Sequence, residues 1–170
     1  MEKILVLGDI HGRTCWADII KKENPDKVIF LGDYVSTHEN ISEEQQCSNL
    51  EDILNYKKVN YNKVILLTGN HDLDSLGYYW AECSGHSRNI EKYMISIADR
   101  FLANTQWVYV EGNIIFSHAG ISNTWFNNFA FKDINLLNNC EPSEEFAFTP
   151  NSFYDYYGNS ITQPCIWIRP

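Results

Sequence analysis

Near its start the chain reads ILVLGDIHG (residues 4–12), an apolar run that stops at a glycine and continues into Asp9 and His11. A short unbroken apolar run beside a glycine is typical of a strand that is buried on both faces. Carboxylate and imidazole groups bind divalent metal ions, and a strand of a parallel sheet presents such groups at the sheet's carboxyl edge. The stretch therefore predicts an α/β fold with a metal site where its first strand ends.

Three later segments repeat this arrangement of an apolar run followed by metal-binding residues. They are VIFLGD (28–33), VILLTGNHD (64–72) and IIFSHAG (114–120). Because neighbouring parallel strands end at the same edge of a sheet, we expect the four segments to deliver their polar side chains to one place. The repetition predicts a single metal centre.

Helical patterns lie between the apolar runs. Trp16, Ile19 and Ile20 keep helical spacing, and Ser42-Glu43-Glu44-Gln45 is typical of a capping box that opens a helix. The first seventy residues therefore predict the order β-α-β-α-β, with the three strands central and covered by helices on both faces. The apolar stripe from Ile90 to Phe101 predicts one further amphipathic helix.

A hairpin and a short helix are predicted in the second half. Gly112-Asn113 separates two strand-like runs, which is typical of a two-residue β-hairpin turn. His118 then follows the second of these strands. Beyond it the pattern weakens, and we predict only a short helix near residues 125–129.

Composition limits the class of protein. A chain of 170 residues with 44% hydrophobic residues predicts one domain, residues 1–170. A net charge of −9 argues against binding to a nucleic-acid backbone, which requires clustered lysine and arginine. Five widely spaced cysteines and the lack of an apolar leader or membrane span indicate a cytoplasmic protein with no membrane partner. The sequence does not indicate an oligomeric state.

The ordered set GDIHG, GD, GNHD and HAG resembles the calcineurin-like metallophosphoesterases, among them the bacterial and phage serine/threonine-type protein phosphatases and the diadenosine tetraphosphatases. The motifs cover residues 1–120, and Trp167-Ile168-Arg169-Pro170 is a further match. The resemblance implies a layered sheet with flanking helices and a metal-dependent phosphoester hydrolase. Its substrate would be a phosphoprotein, a dinucleoside polyphosphate or a small phosphomonoester.

The resemblance also implies two divalent metal ions as cofactors. Asp9 and His11 would bind the first ion, Asp33 would bridge both, and Asn70 and His118 would bind the second. Two such ions, roughly 3.5–4 Å apart, share a hydroxide that attacks phosphorus. Mn²⁺ is the first expectation, and Fe, Zn²⁺ and Ni²⁺ are the alternatives, because aspartate, histidine and asparagine ligands suit all four metals.

Two catalytic residues follow from the same resemblance. His71 stands at the family's general-acid position, where it would protonate the leaving oxygen. Arg169 matches a phosphate-contacting arginine. Many relatives also carry G-D-x-x-D-R-G, whose second aspartate orients the histidine and whose arginine grips phosphate. Here Ser36 and Thr37 occupy those two positions.

Relatives continue beyond the W-x-R-P element into another strand and a histidine that completes the second metal site. We therefore expect the domain to be C-terminally incomplete, and a non-catalytic metal- or phosphate-binding module is the alternative function. A Rossmann-type nucleotide-binding domain is disfavoured, because residues 8–12 do not supply G-x-G-x-x-G.

Other polar residues have local interpretations. His38 and His86 match no motif and are predicted at the surface, and Asp72 is predicted to cap the helix or turn that follows it. Arg13 either contacts phosphate or covers the first helix.

Overall fold

A three-stranded parallel sheet forms the centre of the fold. A computed structural model describes residues 2–78, 83–127, 133–143, 145–148 and 163–168. The strands are β1 (Ile4–Leu7), β2 (Lys27–Phe30) and β3 (Val64–Leu66), in the order β1-β2-β3. The predicted β-α-β-α-β order is confirmed, and all three carboxyl ends lie at one edge.

Two helices connect these strands. Helix α1 (Trp16–Glu23) ends at Asn24, which has a left-handed backbone, and helix α2 (Glu43–Val59) begins at Ser42. The Ser42 hydroxyl accepts a hydrogen bond from the Gln45 amide at 3.2 Å, which confirms the predicted helix start. Helix α3 (Asn70–Ser75) follows β3 after a three-residue turn, so two predicted site residues occupy its first turn.

The predicted helix across residues 90–101 is two helices, α4 (Arg88–Ser96) and α5 (Ala98–Asn104). The break falls at Ile97, whose φ of −113° and ψ of 9° depart from helical values. Just before it, the Ser96 hydroxyl donates to the Tyr93 carbonyl at 2.6 Å. Such local bonding competes with the helical ladder and explains why the stripe does not continue as one helix.

The predicted hairpin is confirmed. Strands β4 (Val108–Glu111) and β5 (Ile114–Ser117) pair antiparallel, and Gly112 in the turn has a φ of 57°. The Thr68 amide donates to the Gln106 carbonyl at 3.0 Å, which ties the hairpin to the end of β3. Three short helices complete the described elements: α6 (Asn123–Asn127), the 3-10 helix Ile134–Asn139 and α7 (Glu145–Phe148). Residues 128–132 lie outside the described ranges.

The core lies around β2 and β3, where Phe30, Leu66 and Ile53 of α2 are at most 1% exposed. Strand β1 is different, since Val6 is 41% exposed. The prediction that all three strands are covered on both faces is therefore wrong for β1, where only Leu7 is buried. In the same ranges no helix is long and apolar enough to cross a bilayer.

Candidate metal centre

The loops that follow β1 and β2 are bonded to each other. The Ile10 and His11 amides both donate to the Asp33 carbonyl, at 3.0 and 2.7 Å, and the Gly12 amide donates to the Tyr34 carbonyl at 2.9 Å. His11 and Asp33 both have left-handed backbones, with φ of 44° and 54°. These bonds bring the first two motifs together at the carboxyl edge of the sheet.

Backbone carbonyls orient both predicted histidine ligands. His11 Nδ1 lies 3.0 Å from the Val35 carbonyl, and His118 Nδ1 lies 2.8 Å from the Leu31 carbonyl. A carbonyl only accepts, so each Nδ1 carries a proton, and in the neutral form of each ring the lone pair is then on Nε2. A backbone partner of this kind is the usual support for a metal-binding histidine.

Both lone pairs face the same carboxylate. Asp33 Oδ2 lies 3.7 Å from His11 Nε2 and 3.5 Å from His118 Nε2. Asp33 is only 3% exposed, so this carboxylate oxygen is placed between the two imidazoles and largely out of solvent. A carboxylate in this position can serve two cations at once.

Asn70 adds a second acceptor beside His118. Its Oδ1 lies 2.9 Å from His118 Nε2, so two atoms that present lone pairs face each other at hydrogen-bond distance. Converging acceptors are unfavourable unless a proton or a cation lies among them. The donor set of carboxylate, imidazole and amide oxygen therefore fits a divalent metal ion.

The site residues divide into two compact groups. His11, Asp33 and His71 form one, and Asp9, Asp33 and His118 form the other, with ligand atoms within 4.8 Å of one another in each. Asp33 belongs to both, as expected for a bridging ligand. The assignment of Asp9 and His11 to one ion, and of Asn70 and His118 to the other, stays a prediction.

One cavity of about 330 Å³ collects the predicted residues. Its polar wall consists of Asp9, His11, Asp33, Asn70, His71 and His118. The sequence thus predicted one pocket from four separate motifs, and the structure brings these six residues to it. The seventh, Arg169, lies outside the described residues.

His71 has an unusual environment. Its Nδ1 is buried and has no hydrogen-bond partner within the described part of the chain, and its ring packs edge-on against His11 at 4.9 Å. Burial, with the neighbouring His11 and His118 rings, lowers the pKa of His71 to about 4. The imidazole is therefore neutral at physiological pH.

The serine that replaces the family's second aspartate is bonded elsewhere. Ser36 is buried, and its hydroxyl lies 2.9 Å from the Ser75 hydroxyl. Its amide donates to the Gln46 side chain at 2.8 Å. Where relatives have an orienting carboxylate, Ser36 therefore places a hydroxyl that is bonded to Ser75 at the end of α3.

Two features of the cavity were not predicted from the sequence. The Asn70 amide donates to Cys83 Sγ at 3.0 Å, and burial raises the pKa of the Cys83 thiol to about 12, so it stays protonated. Ile166, Trp167 and Ile168 form an apolar wall together with Ala119. The W-x-R-P match indicated this segment, but only its arginine was assigned a role.

The 164–168 segment reaches the cavity because it is bonded to the fourth motif. The Ala119 amide donates to the Cys165 carbonyl at 2.8 Å, and a turn returns the Trp167 amide to the Pro164 carbonyl at 2.9 Å. The apolar wall is thus held directly beside His118.

The remaining polar residues lie around the site. Arg13 donates to the Asp9 carbonyl at 3.1 Å and pairs with Glu39, which accounts for its side chain without a phosphate. His38 is exposed, as predicted. His86 is exposed too, as predicted, and its ring bridges Asp74 at 2.9 Å and Glu91 at 3.3 Å. Asp72 caps the start of α3, as predicted, by accepting from the Gly69 amide.

Comparison with known proteins supports this description. The sequence model of the calcineurin-like phosphoesterase family matches residues 2–164. A solved structure, the protein serine/threonine phosphatase from Saccharomyces cerevisiae with similarity to human phosphatase PP5, has the same fold, with a TM-score of 0.51 and 18% identity. The match covers 91% of this chain and 51% of that one, so this chain spans about half of that structure's length. No curated protein sequence matches significantly.

Proposed function

Since the chain belongs to the calcineurin-like phosphoesterase family, we propose that it is a metal-dependent phosphoester hydrolase with a two-metal centre. The observation that carries the proposal is the position of Asp33 Oδ2, 3.7 Å from one histidine nitrogen and 3.5 Å from another. Asp9, His11, Asp33, Asn70 and His118 are the proposed ligands. When bound, two divalent ions would offset the phosphate's charge and lower the pKa of a water molecule.

The ligand set supports Mn²⁺ as the physiological metal. Its members offer carboxylate, amide and imidazole groups, and Cys83, the thiol beside Asn70, is held in its protonated form. Hard and intermediate ions suit such ligands, whereas softer ions prefer thiolates. Fe, Zn²⁺ and Ni²⁺ are the competing occupants.

His71 is the proposed proton donor to the leaving oxygen. It lies on the cavity wall, where it is grouped with His11 and Asp33. Its low pKa and its unpartnered Nδ1 mean that the ring lacks the carboxylate that would hold a charged imidazolium. We therefore expect the enzyme to favour substrates whose leaving groups need little protonation.

The shape of the cavity supports a small phosphomonoester as the substrate. Its apolar wall of Ile166, Trp167 and Ile168 faces a polar wall of ligands, which suits a phosphate attached to an aromatic or aliphatic group. Among the described residues that line it there is no lysine or arginine to bind a longer phosphate chain. Dinucleoside polyphosphates are therefore the less favoured class.

The test is turnover by the purified 170-residue protein loaded with Mn²⁺. We expect hydrolysis of p-nitrophenyl phosphate, slower hydrolysis of a phosphoserine peptide, and the slowest hydrolysis of diadenosine tetraphosphate. Asp33→Asn serves as the inactive control and excludes a contaminating phosphatase. Tight Mn²⁺ binding without turnover of any of the three would favour the alternative, a non-catalytic metal-binding module.

The cysteine pattern supports a cytoplasmic location. The five cysteines are widely spaced and contain no C-x-x-C pair, which suits a reducing compartment. Fractionation of cells that produce the tagged protein would test this.

A further inference from the structure

Asp72 is a fully buried carboxylate that accepts three backbone hydrogen bonds. It is 0% exposed, and its two oxygens accept from the amides of Asp33 at 2.9 Å, Tyr34 at 2.9 Å and Gly69 at 2.8 Å. Capping of helix α3 requires only the bond from Gly69. The other two bonds join Asp72 to the loop after β2, so they have a function other than capping α3.

That loop has a strained backbone at the proposed bridging ligand. Asp33 has a φ of 54°, in the left-handed region that non-glycine residues avoid. Such a conformation persists only where neighbouring contacts hold it. The Asp72 carboxylate accepts hydrogen bonds from the amides of Asp33 and Tyr34, so it holds the backbone at the strained position.

The Asp33 side chain is fixed from the other direction. Its Oδ1 accepts from the His71 amide at 3.0 Å. A Cβ built on Gly69 would lie 2.1 Å from this same oxygen, so the two loops are in close contact. With Oδ1 held, Oδ2 is the oxygen left to face His11 and His118. The Asp72 carboxylate thus accepts from the backbone of the loop that carries Asp33, and the Asp33 carboxylate accepts from the backbone of the helix turn that carries Asp72.

We propose that Asp72 is a positioning residue for the metal centre, which holds the strained Asp33 backbone so that the Asp33 carboxylate faces both metal positions. The inference rests on the proposed function, because it assigns Asp33 the bridging role. Asp72 itself contacts neither metal nor substrate. It acts through Asp33 and through the turn that carries Asn70.

The experiment compares Asp72→Asn with Asp72→Glu and Asp74→Asn by titration with Mn²⁺ alone. In Asp72→Asn an amide NH₂ replaces one acceptor and faces a backbone N–H, so we expect Mn²⁺ affinity to fall about 10–100-fold, the usual cost of losing a supporting bond. Asp72→Glu keeps a carboxylate and should recover most of the affinity. Asp74→Asn is the matched control, since Asp74 is a buried carboxylate on the same helix that pairs with His86.

A spectroscopic measurement separates positioning from a general loss of stability. In the wild-type protein a shared Asp33 carboxylate should give the electron paramagnetic resonance signal of two coupled Mn²⁺ ions, and Asp72→Asn should weaken the coupling. Wild-type affinity and coupling in Asp72→Asn, with only a lower melting temperature, would overturn the inference.

Hydrogen exchange tests the same bonds if Asp72→Asn fails to fold. In the metal-free wild-type protein the Asp33 and Tyr34 amides should exchange as slowly as the amides of β2, and exchange at the rate of exposed loops would overturn the inference. The two proposals fail separately. Metal binding without turnover counts against the hydrolase alone, whereas turnover with unchanged metal affinity in Asp72→Asn counts against the role of Asp72 alone.

Discussion

At the scale of single residues, backbone carbonyls that no sequence motif marks orient the two proposed histidine ligands. The Val35 and Leu31 carbonyls accept from His11 and His118 Nδ1, which leaves both Nε2 lone pairs directed at Asp33. An isolated histidine after a strand is no guide to its tautomer. The carbonyl contacts place the proton on Nδ1, and this supports the proposed metal binding through Nε2.

Asp33→Asn should lower Mn²⁺ content more than a change at any other single ligand. The substitution removes the one negative charge that both proposed metal positions share, while the amide keeps nearly the same shape. Metal content is measured after equilibration with Mn²⁺ and removal of the free ion. Asp99→Asn, which removes an exposed surface carboxylate, is the control for net charge. Undiminished occupancy in Asp33→Asn would contradict the bridging role.

Gly69→Ala should abolish metal binding, whereas Gly8→Ala should not. A Cβ at Gly69 would lie 2.1 Å from Asp33 Oδ1 and 2.7 Å from the Asp33 amide nitrogen, so the bridging ligand must move. A Cβ at Gly8 meets nothing within 4 Å, although this glycine directly precedes the ligand Asp9. Mn²⁺ titration of both variants measures the difference. Equal loss in the two would mean that crowding at Asp33 is not the cause.

At the scale of elements, hydrogen bonds hold the start of helix α3 and an ion pair holds its end. Asp72 in its first turn bonds the loop after β2, and Asp74 further along pairs with His86, which also reaches Glu91 on α4. The bonds of the first turn fix the site, and the His86 pair joins α3 to α4. The first turn of α3 therefore supports the proposed metal site, whereas Asp74 supports the contact between α3 and α4.

His86 should stabilise the fold at acidic pH and lose this effect as pH rises. The hydrogen bond to Asp74 and the charge of Glu91 raise the pKa of His86 above its usual 6.5. Its contribution is therefore complete below about 6.5 and is lost as pH passes through the raised pKa. The pair is 30% exposed on the histidine side, so the contribution is about 1 kcal/mol or less.

Urea unfolding of wild type and His86→Gln across this pH range measures the effect. The difference in the free energy of unfolding should be largest at low pH and shrink above neutrality. His38→Gln, at an exposed position, is the matched control. A difference that does not change with pH would mean that His86 acts by packing alone.

At the scale of the whole molecule, the core and the metal loop are in direct contact. Tyr34, the residue after Asp33, is 0% exposed and packs edge-on against Phe101 of α5 at 5.9 Å. The Tyr34 hydroxyl also donates to the Leu67 carbonyl at 2.9 Å. Through Tyr34, the strained loop that carries Asp33, the proposed bridging ligand, therefore packs against the core.

Phe101→Ala should lower the free energy of unfolding by about 3–5 kcal/mol, because it leaves a cavity in a fully buried site. Ile95→Ala on α4 should change it by no more than about 0.5 kcal/mol, because Ile95 is 52% exposed. Denaturant unfolding of the metal-free proteins measures both. A loss below about 1 kcal/mol for Phe101→Ala would show that the core relaxes around the missing ring.

Local patterns were sufficient for most of the fold. Apolar runs, a capping box and a Gly-Asn turn predicted the parallel strands, helix α2 and the hairpin, because each depends on residues that are neighbours in the chain. Local patterns were insufficient where contacts between residues far apart in the chain determine the structure. The stripe from Ile90 to Phe101 breaks at Ile97, and Val6 stays exposed although its run reads as buried.

The sequence by itself determined the residues of the proposed site, since the types and order of Asp9, His11, Asp33, Asn70, His71 and His118 predict metal chemistry. Parallel strands deliver the first five to one edge, and the antiparallel hairpin of β4 and β5 brings His118. Only the tertiary structure decided how they act together. The placement of Asp33 Oδ2 between two histidines, the bonds from Asp72, and the apolar wall at Trp167 each join residues that are far apart in the chain. Local sequence patterns report on neighbours within a few residues, whereas these contacts depend on how whole loops pack, and that is settled only when the chain folds.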